Sequence, residues 1–141
     1  MKDITDTYNL YRFVKAQVQN YRIALNEIEA GKKQSHWMWY IFPQLKGLGH
    51  SPFSKFYGIS GKEEAIAYFT HPILGMRLRE VTETLLKHKG KSIVDMFGGI
   101  DALKLRSCMT LFDVIAPDDC FHDVLKAFYF DKSDELTLSK L

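Results

Sequence analysis

The chain has 141 residues, of which 46% are hydrophobic, 26% charged and 13% aromatic, with a formal net charge of +2. One domain is expected from that length, the apolar content excludes a disordered chain, and no apolar run approaches the ~18 residues of a membrane span. Cys108 and Cys120 lack metal-site spacing and read as buried free thiols of a reducing compartment; the polar, periodic opening of the chain carries no secretory signal, so a cytoplasmic location is expected.

Val14, Val18, Tyr21, Leu25 and Ile28 keep the spacing of one helical face, and Gly31 stands where a C-terminal stop belongs. A first helix is therefore expected over 9–30. Residues 36–42, HWMWYIF, are apolar at almost every position, so periodicity cannot separate a short buried helix from a buried strand. The helix is preferred: Ser35 can cap it, and Pro43 turns Phe42 away from helical geometry. Glycines and prolines then mark 43–61 as loop, with one helical turn near 53–57.

Ser60-Gly-Lys-Glu63 has the spacing of a capping box ahead of a helix over 61–70. Pro72 suits the first turn of the next helix, whose face is Leu74, Leu78, Val81 and Leu85 and whose end is Gly90. Ser92 starts a short helix that stops at Gly98-Gly99. Asp101 starts another, apolar on two adjoining faces and hence central; Pro117 ends it. Asp118 opens a helix carrying Phe121, Val124, Leu125 and Phe128, and Ser133 begins a possible last turn. The pattern is all-α: a single compact domain of about six to seven helices around one aromatic-rich core, with mobile tails at 1–8 and 132–141.

No standard catalytic motif is present, and the five histidines have no metal-ligand spacing, so neither a metal nor a cofactor is expected. Three groupings carry candidate chemistry. The first is His36, Trp37, Trp39 and Gln44 with the glycine loop behind them: the indoles offer flat surfaces, and glycines let backbone amides approach an anion. The second is His71 with Arg77, at a helix N-terminus whose free amides favour anions. The third is Lys104, Ser107 and Thr110, spaced by three along one edge of the central helix, a pattern that fits a polar network, a pocket wall or a Ser–Lys pair. For each, a purely structural role is the competing reading.

Residues 32–91 hold ten Lys/Arg against four Asp/Glu, and residues 113–141 hold three against seven. The basic middle favours an anionic partner. No block of like charges marks a nucleic-acid tail.

Three blocks, SHWMWYIFPQLKGLGHS, EEAIAYFTHPILGMRLRE and FGGIDALKLRSCMTLF, resemble the bacterial family called domain of unknown function 1810, over roughly residues 10–130. The resemblance implies an all-α single domain and no characterised activity. The label calpastatin, often attached to such chains, names disordered segments poor in aromatics, unlike this chain. The blocks coincide with the three groupings, so the candidate ligand-binding positions are His36, Trp37, Trp39, Gln44, His71, Arg77, Lys104, Ser107 and Thr110. A small anionic ligand, nucleotide- or ADP-ribose-like, is the expected partner if these converge; the alternative is a non-enzymatic protein–protein interaction module.

Overall fold

Among residues 6–141, which the structure (a computed structural model) describes, the apolar spacing resolves into nine helices. They are α1 (Tyr11–Ala30), α2 (Met38–Ile41), α3 (Pro52–Tyr57), α4 (Lys62–Thr70), α5 (Leu74–Leu86), α6 (Ile93–Phe97), α7 (Gly99–Ile115), α8 (Phe121–Tyr129) and α9 (Glu135–Ser139). The all-α class is as expected. The excess over six or seven comes from α3 and α9, which the sequence marked only as single turns. The aromatic block is one helical turn, α2, rather than a strand. Beside the helices, the described residues pair only in an isolated parallel bridge between Leu45 and Ile59.

α7 is central, as its two apolar faces require: it packs on α2, α4, α6, α8 and α9. Leu105, Cys108, Met109, Leu111 and Phe112 are fully buried there. From Phe112 a run of rings crosses the core, to Tyr68 at 5.6 Å and from Tyr68 edge-on to Phe13 at 5.0 Å. Trp37, Phe42 and Phe97 form a second cluster, with Trp37 edge-on to Phe97 at 5.9 Å. Each such side chain contributes roughly 1.5–3 kcal/mol by burial.

The buried stripe of α1 is Phe13, Gln17, Ala24, Leu25 and Ile28, whereas Val18, counted on the apolar face from sequence, is 73% exposed. The stripe is rotated because Gln17 can be buried at little cost. Its amide donates to the Tyr40 carbonyl at 2.7 Å and the Tyr68 hydroxyl at 3.2 Å, and its carbonyl oxygen accepts from Arg77 at 3.3 Å. Hydropathy alone cannot see such partners.

Two expected caps are displaced. Ser35 does not cap α2; its amide and hydroxyl donate to Glu27 on the last turns of α1, at 2.9 and 2.6 Å, beside the Gln34 amide and the Trp37 indole. Burial alone would raise the Glu27 carboxyl, but these donors, led by the Ser35 hydroxyl, hold it down at about 2. Glu63 does not close a capping box. Glu64 accepts from the Ser60 amide instead, at 2.9 Å, because Arg12 draws it inward in a 2.8 Å ion pair. α4 and α5 meet closely enough that a Cβ on Gly75 would lie 1.9 Å from the Phe69 carbonyl oxygen.

Tails were expected at 1–8 and 132–141. Residues 1–5 lie outside the described residues, but the Asp6 carboxylate accepts from the Leu10 and Tyr11 amides at the start of α1. At the other end α9 lies on α7 with Thr137 fully buried, and Asp134 caps it through the Thr137 amide and hydroxyl.

Candidate binding site

The residues singled out from sequence separate into those the fold consumes and those it leaves facing space. Trp37 is consumed: it is 1% exposed, and its indole N–H donates to Glu27 at 2.9 Å. His36 is exposed, with only its backbone carbonyl bonded, by the Tyr40 hydroxyl at 3.3 Å. His71 acts as a cap. Its Nδ1 accepts from the Ile73 and Leu74 amides at 3.1 and 3.3 Å, so amides expected to await an anion at the start of α5 already have a partner. Arg77 bonds Gln17 and covers the Tyr21 ring at 4.8 Å.

The Lys104–Ser107–Thr110 edge divides. The Ser107 hydroxyl donates to the Leu103 carbonyl and to Asp134 at 3.0 Å, and Thr110 accepts from the Asp134 amide at 2.9 Å. Both serve to dock the start of α9, where the Asp134 carboxylate that meets Ser107 also caps the helix through Thr137. Lys104 points elsewhere, over the Trp39 ring at 5.2 Å from its centroid.

Three of the nine positions, Trp39, Gln44 and Lys104, do meet. They line one crevice between α2, α3 and the first half of α7. Met38, Phe42, Ser54, Tyr57 and Gly58 complete its lining. Its volume is about 10 Å³, roughly the lower limit for one water or one oxygen of a larger group. The Trp39 Nε1–H is itself sealed from solvent and has no hydrogen-bond partner, the only such side-chain atom among the described residues. A buried donor left unpaired costs about 1–3 kcal/mol.

The chemistry of the crevice is one-sided. No carboxylate lines it, and Lys104 supplies a cation. The nearest acid on that lysine, Asp101, lies 3.9 Å away and is more closely engaged by Lys33 at 2.8 Å. Burial pushes the Tyr57 phenol up, so it stays neutral. An ammonium donates and does not accept, so the crevice suits an oxyanion.

Sequence reasoning missed Ser54 and Tyr57, because α3 reads as an incidental turn. The signal was present in the aromatic spacing Phe53–Tyr57, four apart on a helical turn. What brings α3 to the crevice is tertiary. The Leu45–Ile59 bridge folds the loop back, with the Lys46 amide on the Ile59 carbonyl at 2.8 Å and the Ile59 amide on the Gln44 carbonyl at 3.0 Å. The loop glycines serve this packing rather than an anion: a Cβ on Gly58 would lie 2.8 Å from the Lys46 Cα, and one on Gly49 would lie 2.5 Å from the Ser54 hydroxyl.

The chain is similar to a solved structure, the conserved hypothetical protein Rv1873 from Mycobacterium tuberculosis, with a TM-score of 0.94 and 45% identity over 96% of this chain and 98% of that one. Comparison with curated proteins finds no match. A family model described as "Protein of unknown function (DUF1810)" matches residues 7–141, and the chain belongs to that family.

Proposed function

We propose that this all-helical domain binds a small anionic ligand at the Trp39–Gln44–Lys104 crevice, taking one oxygen of a phosphate or carboxylate inside. The observation that carries this reading is the Lys104 cation, over the Trp39 ring, in a crevice lined by Trp39 and Gln44 and by no acid. The enclosed space excludes a whole nucleotide, so only the anionic end of a ligand enters. His36, His71 and Arg77 play no part in it.

The test is thermal unfolding with inorganic phosphate and with acetate. Ligand at a hundredfold excess over Kd stabilises by about 2.7 kcal/mol, which is readily seen. Wild-type protein is stabilised by one or both anions, and Lys104→Ala is not. No stabilisation of the wild type by either anion, or an equal shift in Lys104→Ala, sinks the proposal.

A second reading, a protein–protein interaction module, is favoured by the groove between α1 and α3, about 530 Å³ and bordered by Val18, 73% exposed, and Phe56, 54% exposed. It expects Val18→Asp to abolish an association visible in sedimentation of concentrated protein. A wild type that sediments as a monomer at every concentration counts against self-association through that groove.

A further inference from the structure

The turn that follows α8 holds its backbone where side chains are crowded. Phe130 and Asp131 both lie in the left-handed region, at φ 55° and 60°, and neither is a glycine. Such a conformation persists only where its surroundings hold it. Its effect is to keep Phe130 out of the core: that ring is 90% exposed, while Phe121, Val124 and Leu125 of the preceding helix are fully buried.

Three ties hold the turn. The Asp131 amide donates to the Leu125 carbonyl at 3.0 Å. The Arg106 guanidinium, from α7, donates to the Lys132 and Ser133 carbonyls at 2.9 and 2.7 Å. His122, in the first turn of α8, sets Nε2 on the Asp131 carboxylate at 2.8 Å and Nδ1 on Asp113 of α7 at 2.9 Å. An amide and a guanidinium keep their protons, so only the histidine tie answers to pH.

A ring nitrogen facing a carboxylate must donate to it. With a carboxylate on each side, both nitrogens carry protons, and the geometry belongs to the imidazolium. The neutral ring keeps one N–H and turns a lone pair toward the other carboxylate. The two acids are unequal: the Asp113 side chain is 18% exposed on a helix, and that of Asp131 is 55% exposed on the turn. Water replaces a lost hydrogen bond more readily at Asp131. The charges acting on the ring are Asp113 from α7, Asp131 from the turn and Lys126 one turn along α8. From α5, Arg79 is paired with Asp119, and Glu83 acts on Cys120.

We propose that His122 is a pH-sensitive latch on the turn that displays Phe130: the imidazolium holds Asp131, and the neutral ring keeps its Nδ1–H on Asp113 and lets Asp131 go. The latch is separate from the Lys104 crevice and does not depend on any ligand.

NMR of the ring nitrogens and of amide exchange tests it. Above the titration of His122 the ring is expected as the Nδ1–H tautomer. Protection of the Asp131 amide, taken relative to its unfolded exchange rate at each pH, falls through the same titration by up to about fivefold, the limit for an exposed ion pair. In His122→Gln, which cannot titrate, that protection stays level. Asp131→Asn lowers the midpoint of His122 and leaves the Nδ1–H tautomer above it. A neutral ring protonated at Nε2, level protection of Asp131 in the wild type, a fall that survives in His122→Gln, or a midpoint unmoved by Asp131→Asn overturns the latch.

Discussion

Replacing Arg12 by methionine tests the support of the site and the energetics of the core together. Arg12 and Glu64 have side chains only 8% and 4% exposed and meet at 2.8 Å. The guanidinium also donates to the carbonyls of Tyr8, Asn9, Phe56 and Gly58. Methionine replaces the apolar stem and restores none of these bonds, and it leaves the Glu64 carboxylate buried with the Ser60 amide as its partner. Breaking a buried pair from one side costs about 3–5 kcal/mol, because the surviving charge is uncompensated. The capacity of a domain this size is on the order of 5–15 kcal/mol, so the loss is a large share of it. Equilibrium urea unfolding reads it as a lower midpoint. The double variant Arg12→Met with Glu64→Met removes the stranded charge as well, and is expected to recover part of the loss. Arg12→Met within about 1 kcal/mol of wild type, the lower limit of an exposed-pair effect, would refute the buried-pair argument. So would a double variant that is no more stable than Arg12→Met alone.

Three further outcomes are expected. Gly75→Ala destabilises by at least ~1–3 kcal/mol, the cost of overpacking, despite the ~1 kcal/mol that helix propensity favours for alanine, because its Cβ would meet the Phe69 carbonyl at 1.9 Å; a raised melting temperature would show that α4 and α5 separate freely. Glu27→Gln is less stable than wild type above the ordinary carboxyl value of 4.5. Since the folded-state value is lowered to about 2, that advantage is lost as pH falls from 4.5 through 2, and melting curves of the two proteins should converge there. His122 bridges Asp113 at 2.9 Å and Asp131 at 2.8 Å through its two ring nitrogens, and the hydrogen bond to Asp113 raises its pKa, with burial and Lys126 opposing. Its contribution is fully present below the ordinary value of 6.5 and is lost as pH rises through the raised one, so the melting gap between wild type and His122→Gln should narrow with increasing pH; a gap that widens would contradict the bridge.

Much of the fold was legible because local rules and burial agree. Leu74, Leu78, Val81 and Leu85 are the buried face of α5, as their spacing requires, and Ser92 accepts from the Asp95 amide as the cap of α6. Gly31 ends α1 at φ 74°, where only glycine sits at ease. Failures cluster where a distant residue outbids a local one: Glu27 takes Ser35 from α2, and Arg12 pulls Glu64 ahead of Glu63.

The candidate site shows the same boundary more sharply. Sequence alone placed Trp39, Gln44 and Lys104 among nine candidates: Trp39 for its flat ring, Gln44 as a polar group beside an apolar run, Lys104 for its place on one edge of the central helix. It could not say that Trp37 and Trp39, two residues apart, have opposite fates: one indole meets Glu27 and the other meets nothing. That difference depends on which chain lies across each ring. α1 brings a carboxylate to Trp37, while α3 and α7 bring Phe53 and Lys104 to Trp39. The residue types set what chemistry was available to this protein; the tertiary structure decided which donor was left without a partner, because hydrogen bonds between elements distant in sequence are made only when those elements pack.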